Sequence, residues 1–282
     1  MPELPEAEVV RRDLDAVVRG RTVVAVEVGR DRAVRREPSI DGFVDALTGR
    51  TVAGTGRVGK FLVVHLGGGD GRDAVVVHLG MSGQLRVAES AAQDRLPHTH
   101  VVWALDDGRE VRFVDPRTFG QMWQAPTSEP GGRPLALGHL GPDALDDLTT
   151  ASVLAPRLAN RRVRLKLRLM DQTAVAGLGN IYTDEICFRA GISGARPAGS
   201  LADAEVERLV DATRAVLTDA IAARGSSLAD AQYVDVHGRT GAFQHQHAVH
   251  ARAGLPCPVC GTAITRERVG GRYAYQCGVC QT

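Results

Sequence analysis

An α+β fold is predicted for this chain: an antiparallel β-sandwich behind a leading helix, then a helical domain that ends in a metal-binding β-hairpin. Three observations predict it. From residue 22 to about 123, short β-rich runs alternate with Gly/Asp turns, whereas from 142 to about 225 the apolar spacing is helical. Residues 255–282 hold four cysteines as two Cys-x2-Cys pairs. The 282 residues are 44% hydrophobic and 24% charged, enough for a sizeable core and against global disorder.

The first domain is drawn over residues 1–124. Pro5 suits the first turn of the leading helix, Glu3, Glu6 and Glu8 complement its dipole, and Arg19-Gly20 closes it. Strands are expected at 23–28, 61–65, 74–78, 100–105 and 110–114, parted by turns such as Gly67-Gly68-Gly69-Asp70-Gly71 and Asp106-Asp107-Gly108. The Pro/Gly-rich stretch 125–142 reads as a linker. A helical domain follows over 143–254; its segment from 226 onward is polar, Gly/His-rich and poorly periodic. No internal repeat is found. No apolar run approaches the ~18 residues of a membrane-spanning helix, and the acidic start lacks an apolar signal region, so a cytoplasmic protein away from membranes is expected.

A net charge of +1 hides an asymmetry. Residues 1–150 hold 18 basic and 22 acidic groups, whereas 151–282 hold 16 and 11, which points to a local polyanion surface on the second half. The densest basic run is Arg157, Arg161, Arg162, Arg164, Lys166 and Arg168, with no acid between 157 and 170. Such a run is either a solvated face or a row of phosphate contacts. Only Lys60 and Lys166 are lysine among 34 basic residues, so each is retained by chance or for its compact ammonium.

Cys257 and Cys260, sixteen residues, then Cys277 and Cys280 have the spacing of a closed tetrahedral Zn²⁺ site. Redox pairs are the alternative, but no βαβ pattern surrounds them. Cys187, in an apolar helical stretch, reads as a buried small residue. At the other end, removal of Met1 would leave Pro2 with a secondary amine, whose ordinary pKa near ~8 keeps more of it neutral and nucleophilic than a lysine. Attack on an aldehydic carbon gives an iminium, with Glu3 and Glu6 at hand to move protons. An ordinary acidic helix start and a tautomerase-like proline base are the alternatives.

Three further motifs stand on loops or turns. Arg57-Val58-Gly59-Lys60-Phe61 sets a lysine at the entry to a strand. His78-Leu79-Gly80-Met81-Ser82-Gly83 and Asp115-Pro116-Arg117-Thr118-Phe119-Gly120 present an apolar rod, a cation and a ring, the residue types that wedge into a base stack. Packing is the simpler reading of each alone. Finally, Gly177-Leu178-Gly179-Asn180-Ile181-Tyr182 breaks one helix and starts another, offering backbone N–H groups and the Asn180 amide to a phosphate.

Together, Pro2-Glu3-Leu4-Pro5-Glu6, Gly59-Lys60, the 78–83 and 115–120 motifs, Gly177–Tyr182 and the four cysteines follow the order found in bacterial formamidopyrimidine-DNA glycosylases, and the chain resembles them over nearly its whole length. The resemblance implies an N-terminal β-sandwich, a helix–two-turn–helix domain with a zinc finger, and a double-stranded DNA partner carrying oxidised bases or abasic sites. It implies a monomeric base-excision enzyme that excises oxidised purines and then nicks by β,δ-elimination. Pro2 would be the Schiff-base nucleophile, Glu3 a proton-transfer group, Glu6 a support, and Lys60 a phosphate contact beside the lesion. Met81, Arg117 and Phe119 would fill the void left by the flipped nucleotide. Asn180 and Arg272 would clamp the backbone, with His98 and Lys166 as further DNA contacts. One structural Zn²⁺ on Cys257, Cys260, Cys277 and Cys280 completes the set.

Departures from the family pattern are His250-Ala251-Arg252, where relatives often carry Tyr-Gly-Arg, and the missing proline after Lys166. The loop 226–247 is expected to be flexible and to cover the damaged base, so deleting 233–243 should spare abasic-site cleavage. An endonuclease VIII-like oxidised-pyrimidine glycosylase, a catalytically silent damaged-DNA binder and a zinc-ribbon interaction protein are the competing readings. Leu4 favours the purine branch, and the intact Pro2, Glu3, Glu6 and Lys60 favour an enzyme.

Overall fold

The structure, a computed structural model, describes residues 2–228 and 233–282. These divide into two compact units, Met1–His139 with Arg224–Ala242, and Leu140–Ala223 with Phe243–Thr282.

The first unit opens with α1 (Leu4–Val18). Eight strands follow: β1 (Val23–Val28), β2 (Val52–Val58), β3 (Phe61–Leu66), β4 (Asp73–His78), β5 (Gln84–Ala88), β6 (Thr99–Leu105), β7 (Glu110–Val114) and β8 (Gln121–Pro126). They make two four-stranded antiparallel sheets, ordered β1-β6-β7-β5 and β2-β3-β4-β8. A short helix, α2 (Ile40–Leu47), is capped by the Ser39 hydroxyl, which accepts from the Gly42 N–H. The apolar side chains of both sheets and of α1 meet in one core that includes Leu14, Phe43, Leu62, Trp103 and Phe113. All five expected strands are present. The strands not expected are β2, whose Gly54 and Gly56 read as turn residues, and the partly polar β5 and β8.

Two expectations are corrected here. The stretch expected as a linker over 125–142 begins later, because residues 125 and 126 finish β8, and the Thr127 N–H donates to the Arg72 carbonyl. The loop 226–247, expected to be flexible, is packed and hydrogen-bonded over part of its length. Tyr233 and Val236 are buried in the sandwich core, the Val87 N–H of β5 donates to the Val236 carbonyl, and the Asp235 carboxylate accepts from Arg224 and Arg239. Residues 229–232 of that loop, like Met1, lie outside the described residues.

The second unit contains α3 (Ala151–Leu158), α4 (Leu165–Met170), α5 (Asn180–Ala190) and α6 (Asp203–Ala222), then a hairpin of β9 (Thr265–Val269) and β10 (Arg272–Gln276) joined by Gly270-Gly271. The Gln172 side chain staples the α4–α5 connection, donating to the Met170 and Leu178 carbonyls and accepting from the Gly177 N–H. Gln281 ties the chain end to the segment just after α5, accepting from the Cys277 N–H and donating to the Ile192 carbonyl.

Candidate functional site

Pro2 and Glu3 are buried at the start of α1. Glu6, one turn on, holds Glu3 and the 226 segment: its Oε2 accepts from the Glu3 N–H at 2.8 Å, and its Oε1 accepts from the Ser226 N–H at 2.7 Å. One carboxylate thus satisfies an orphan donor of the helix start and anchors the 226 segment. Lys60 reaches its place through a second carboxylate. It stands with Gly59 in the two-residue turn between β2 and β3, where Gly59 supplies the positive φ of 59° that such a turn requires. The buried Arg57 donates to the Gly59 carbonyl (3.0 Å) and to Glu8 Oε2 (3.1 Å), which ties that turn to α1. Burial pushes the Glu8 carboxyl up, but bonds from Arg11 and Arg12 and the Arg57 charge outweigh it and hold it at about 2. His78 is driven down to about 4 by burial and by the nearby positive charges of Lys60, Arg36 and Arg35.

The sequence gives Glu8 no role beyond the helix dipole. Its pairing with Arg57 spans 49 residues of chain and leaves no local signal.

Met81, Arg117 and Phe119 come together. The Arg117 guanidinium lies 4.8 Å from the Phe119 ring centroid and 3.8 Å from the Met81 sulfur, and Met81 and Phe119 are 40% and 42% exposed. The two loops are the crossovers between the sheets: 79–83 leads from β4 to β5, and 115–120 leads from β7 to β8. They touch at Gly80, where a Cβ would stand 2.6 Å from the Phe119 carbonyl carbon. Asp115, fully buried, fixes both loops, accepting from the Ser82 hydroxyl (2.5 Å) and from the N–H groups of Gly120 (2.7 Å) and Arg117 (3.3 Å). Arg35 donates to the Phe119 and Gly120 carbonyls from outside. His98 is exposed at φ 64° and accepts the Asp115 N–H on its carbonyl, which places it beside this cluster.

In the second unit Asn180 occupies the first turn of α5, with its Oδ1 buried and without a hydrogen bond among the described residues. Arg272 opens β10 and is exposed. Lys166 is a correction. It is 1% exposed, and its ammonium is spent on Asp184 Oδ1 (2.5 Å) and the Tyr273 carbonyl (3.0 Å), so it is no surface cation for DNA. Other members of the basic run are also engaged: Arg164 pairs with Glu267, and Arg168 with Asp171 and the Arg157 carbonyl. Arg161 and Arg162 are exposed. Cys187 is buried and its thiol is pushed up to about 12 by burial, as an inert packing residue should be.

The four cysteine sulfurs all lie within 4.8 Å of one another, with the pairs Cys257–Cys280 at 3.8 Å and Cys260–Cys277 at 3.5 Å. A tetrahedral site with Zn–S bonds of ~2.3 Å sets its sulfurs about 3.8 Å apart, so the residues fit one structural Zn²⁺ with no open position.

Comparison with known proteins agrees. Profiles of the formamidopyrimidine-DNA glycosylase N-terminal domain, its H2TH domain, and a zinc finger found in FPG and IleRS match residues 1–122, 140–232 and 254–282. The formamidopyrimidine-DNA glycosylase of Geobacillus kaustophilus is 42% identical over 281 residues, covering 100% of both chains. A Lactococcus lactis FPG mutant solved with Fapy-dG-containing DNA superposes with a TM-score of 0.87 at 30% identity, covering 100% of both chains. The Lactococcus lactis Fpg solved with abasic-site DNA gives the same TM-score and identity over 99% of each chain. No described helix is long and apolar enough to cross a membrane.

Proposed function

The chain belongs to the formamidopyrimidine-DNA glycosylase family of base-excision-repair enzymes, and from that premise we propose a bifunctional glycosylase and abasic-site lyase that acts, as a monomer, on 8-oxoguanine and formamidopyrimidines in duplex DNA. The observation that carries this reading is the support around Pro2 and Glu3. Glu6 fixes the helix start and the 226 segment, while Glu8 and Arg57 fix the turn that bears Lys60. A nucleophile and its proton-transfer group must be held within a few tenths of an ångström to act together.

In this reading the Pro2 nitrogen, once Met1 is removed, attacks C1′ of the extruded nucleotide and the glycosidic bond breaks with its electron pair leaving on the base. Glu3 moves the proton that opens the sugar ring. The iminium so formed withdraws electrons and acidifies the C2′ hydrogen, so loss of that proton expels the 3′ phosphate. A second elimination expels the 5′ phosphate, and water releases the proline. Lys60 balances phosphate charge beside the lesion. Met81, Arg117 and Phe119 refill the stack, since extrusion costs a few kcal/mol. Arg117 can donate to the Watson–Crick edge of an orphaned cytosine. Lactococcus lactis FPG is solved with Fapy-dG-containing DNA, in keeping with the purine assignment, and also with DNA containing an oxidized pyrimidine, so the excision assay decides between the two branches.

The test is borohydride trapping on defined duplexes. Processed protein should give a covalent adduct at Pro2 on an abasic site, and Pro2→Gly should trap less. An adduct mapping to Lys60 would sink the nucleophile assignment. Excision should favour 8-oxoguanine opposite cytosine over adenine. Robust excision of thymine glycol with none of 8-oxoguanine would move the enzyme to the pyrimidine branch.

A further inference from the structure

Lys166 donates three hydrogen bonds from a buried position on α4: to Asp184 Oδ1 (2.5 Å), to the Tyr273 carbonyl (3.0 Å) and to the Asn180 carbonyl (3.4 Å). An ammonium has three donors, and all three are used. Two of the acceptors lie on the backbone that carries the expected clamps. Asn180 is itself one, and Tyr273 follows Arg272 on β10. One buried cation therefore fixes the start of α5 and the start of β10 to a common point.

That cation depends on its counter-charge, because a buried ammonium without a partner is strongly destabilised. Asp184, 3% exposed, supplies it with one oxygen, and with the other accepts the His250 Nδ1–H at 2.9 Å. The His250 ring packs edge-on against His247 and against Tyr275 of β10, with centroids 5.6 and 5.1 Å apart. Glu185, next to Asp184, accepts the backbone N–H groups of Ala248, Val249 and His250. So α5 grips β10 twice through Asp184, once through Lys166 and once through His250. Asn180 Oδ1 makes no hydrogen bond among the described residues, so its amide is aimed by the backbone that this network holds.

We infer that Asp184 is a positioning residue for DNA binding, setting the Asn180 amide and the Arg272 guanidinium in register for the phosphate backbone through Lys166 and His250. This rests on the clamp reading of Asn180 and Arg272 given above. Asp184 itself touches no DNA.

The test is a double-mutant cycle in full-length, zinc-loaded protein, with binding measured on a duplex bearing a tetrahydrofuran abasic analogue. Asp184→Asn keeps the shape and removes the charge. It should weaken binding by about fivefold or more, a coupling of the size seen between residues in one network. Arg272→Ala, which should weaken the parent protein, should cost far less in the Asp184→Asn background, because the guanidinium is already out of register. In single-turnover trapping the loss should fall on the half-saturating concentration and not on the plateau rate. His250→Phe, which keeps a ring against Tyr275 and removes one hydrogen bond, should show the same pattern at smaller size; should Asp184→Asn fail to retain zinc, this variant decides. Equal cost of Arg272→Ala in both backgrounds would overturn the positioning role while leaving the clamp intact. If Arg272→Ala and Asn180→Ala leave the parent protein's binding unchanged, the clamp reading falls and the positioning role falls with it.

Discussion

Met81, Arg117 and Phe119 ride on loops that emerge from a large apolar core shared by two sheets and α1, and one buried carboxylate, Asp115, trims their geometry. The hairpin that bears Arg272 rests instead on a cluster of Val249, Cys257, Ile264 and Cys277, and two of those four are thiolate ligands. Beside it lies a buried ion pair, Lys166–Asp184. The first unit thus holds its stack-filling residues chiefly by area, with the Glu8–Arg57 pair serving the turn that bears Lys60, and the second holds its clamps by a metal and a charge. Area is lost a little at a time, whereas a metal or a buried counter-ion is lost at once.

Metal removal should separate the two units most sharply. Structural zinc in such sites is worth roughly 10–16 kcal/mol of apparent binding at neutral pH, far more than the small cluster around it. Chelation, or Cys277→Ser, should abolish amide protection in the β9–β10 hairpin and weaken DNA binding. Trp103 and Trp123, the chain's two tryptophans, both belong to the first unit, so their fluorescence should not change. A tryptophan shift on chelation would show that the sandwich too depends on the metal.

The converse experiment removes area. Tyr233→Ala takes a ring out of the sandwich core and should cost about 3–5 kcal/mol, read as a lower urea midpoint of tryptophan fluorescence with zinc content unchanged. Deleting 233–243 should be worse, since Val236 and the Asp235 cluster go with it. A deletion variant with the parent protein's stability would restore the picture of a flexible loop that contributes nothing to the core.

This region also shows what the sequence could and could not tell. Strands with unbroken β-branched runs, the capped start of α1 and the cysteine spacing were legible, because each is set by neighbours along the chain. The candidate wedge residues were legible as motifs. Asp115 beneath them, the Glu8–Arg57 pair and the Asp184–His250 contact were not, since each joins residues distant in sequence. Lys166 misled for the same reason. A lysine within a basic run reads as surface, and only the fold reveals that Asp184 neutralises it.

A smaller effect concerns acid. Glu8 holds its carboxyl at about 2, below an unfolded value near 4.5, so its contribution to the sandwich is complete above pH 4.5 and is lost as pH falls toward 2. Glu8→Gln should flatten the loss of stability of the first unit across that window and leave the neutral-to-alkaline limb unchanged in shape. Tryptophan-detected melts from pH 2 to 6 would check this, and an unaltered acid limb would contradict the Arg-paired carboxylate.

The smallest expected effect sets one exposed arginine of each unit against the other. Arg272, as a phosphate clamp, releases about one counter-ion when it binds, so Arg272→Ala should lower the salt slope of binding by about one unit and weaken damaged and undamaged duplexes alike. Arg117 is stacked on Phe119 and lies beside Met81, and in the proposed reading it meets a base edge and not a phosphate. Arg117→Ala should therefore leave the salt slope nearly unchanged and instead flatten the preference for cytosine opposite the lesion, a bidentate base contact being worth about 1–3 kcal/mol of discrimination. Neutral Asn180 should move neither quantity much. If Arg117→Ala lowers the slope as Arg272→Ala does, Arg117 too meets a phosphate, and its assignment to the base opposite the lesion fails.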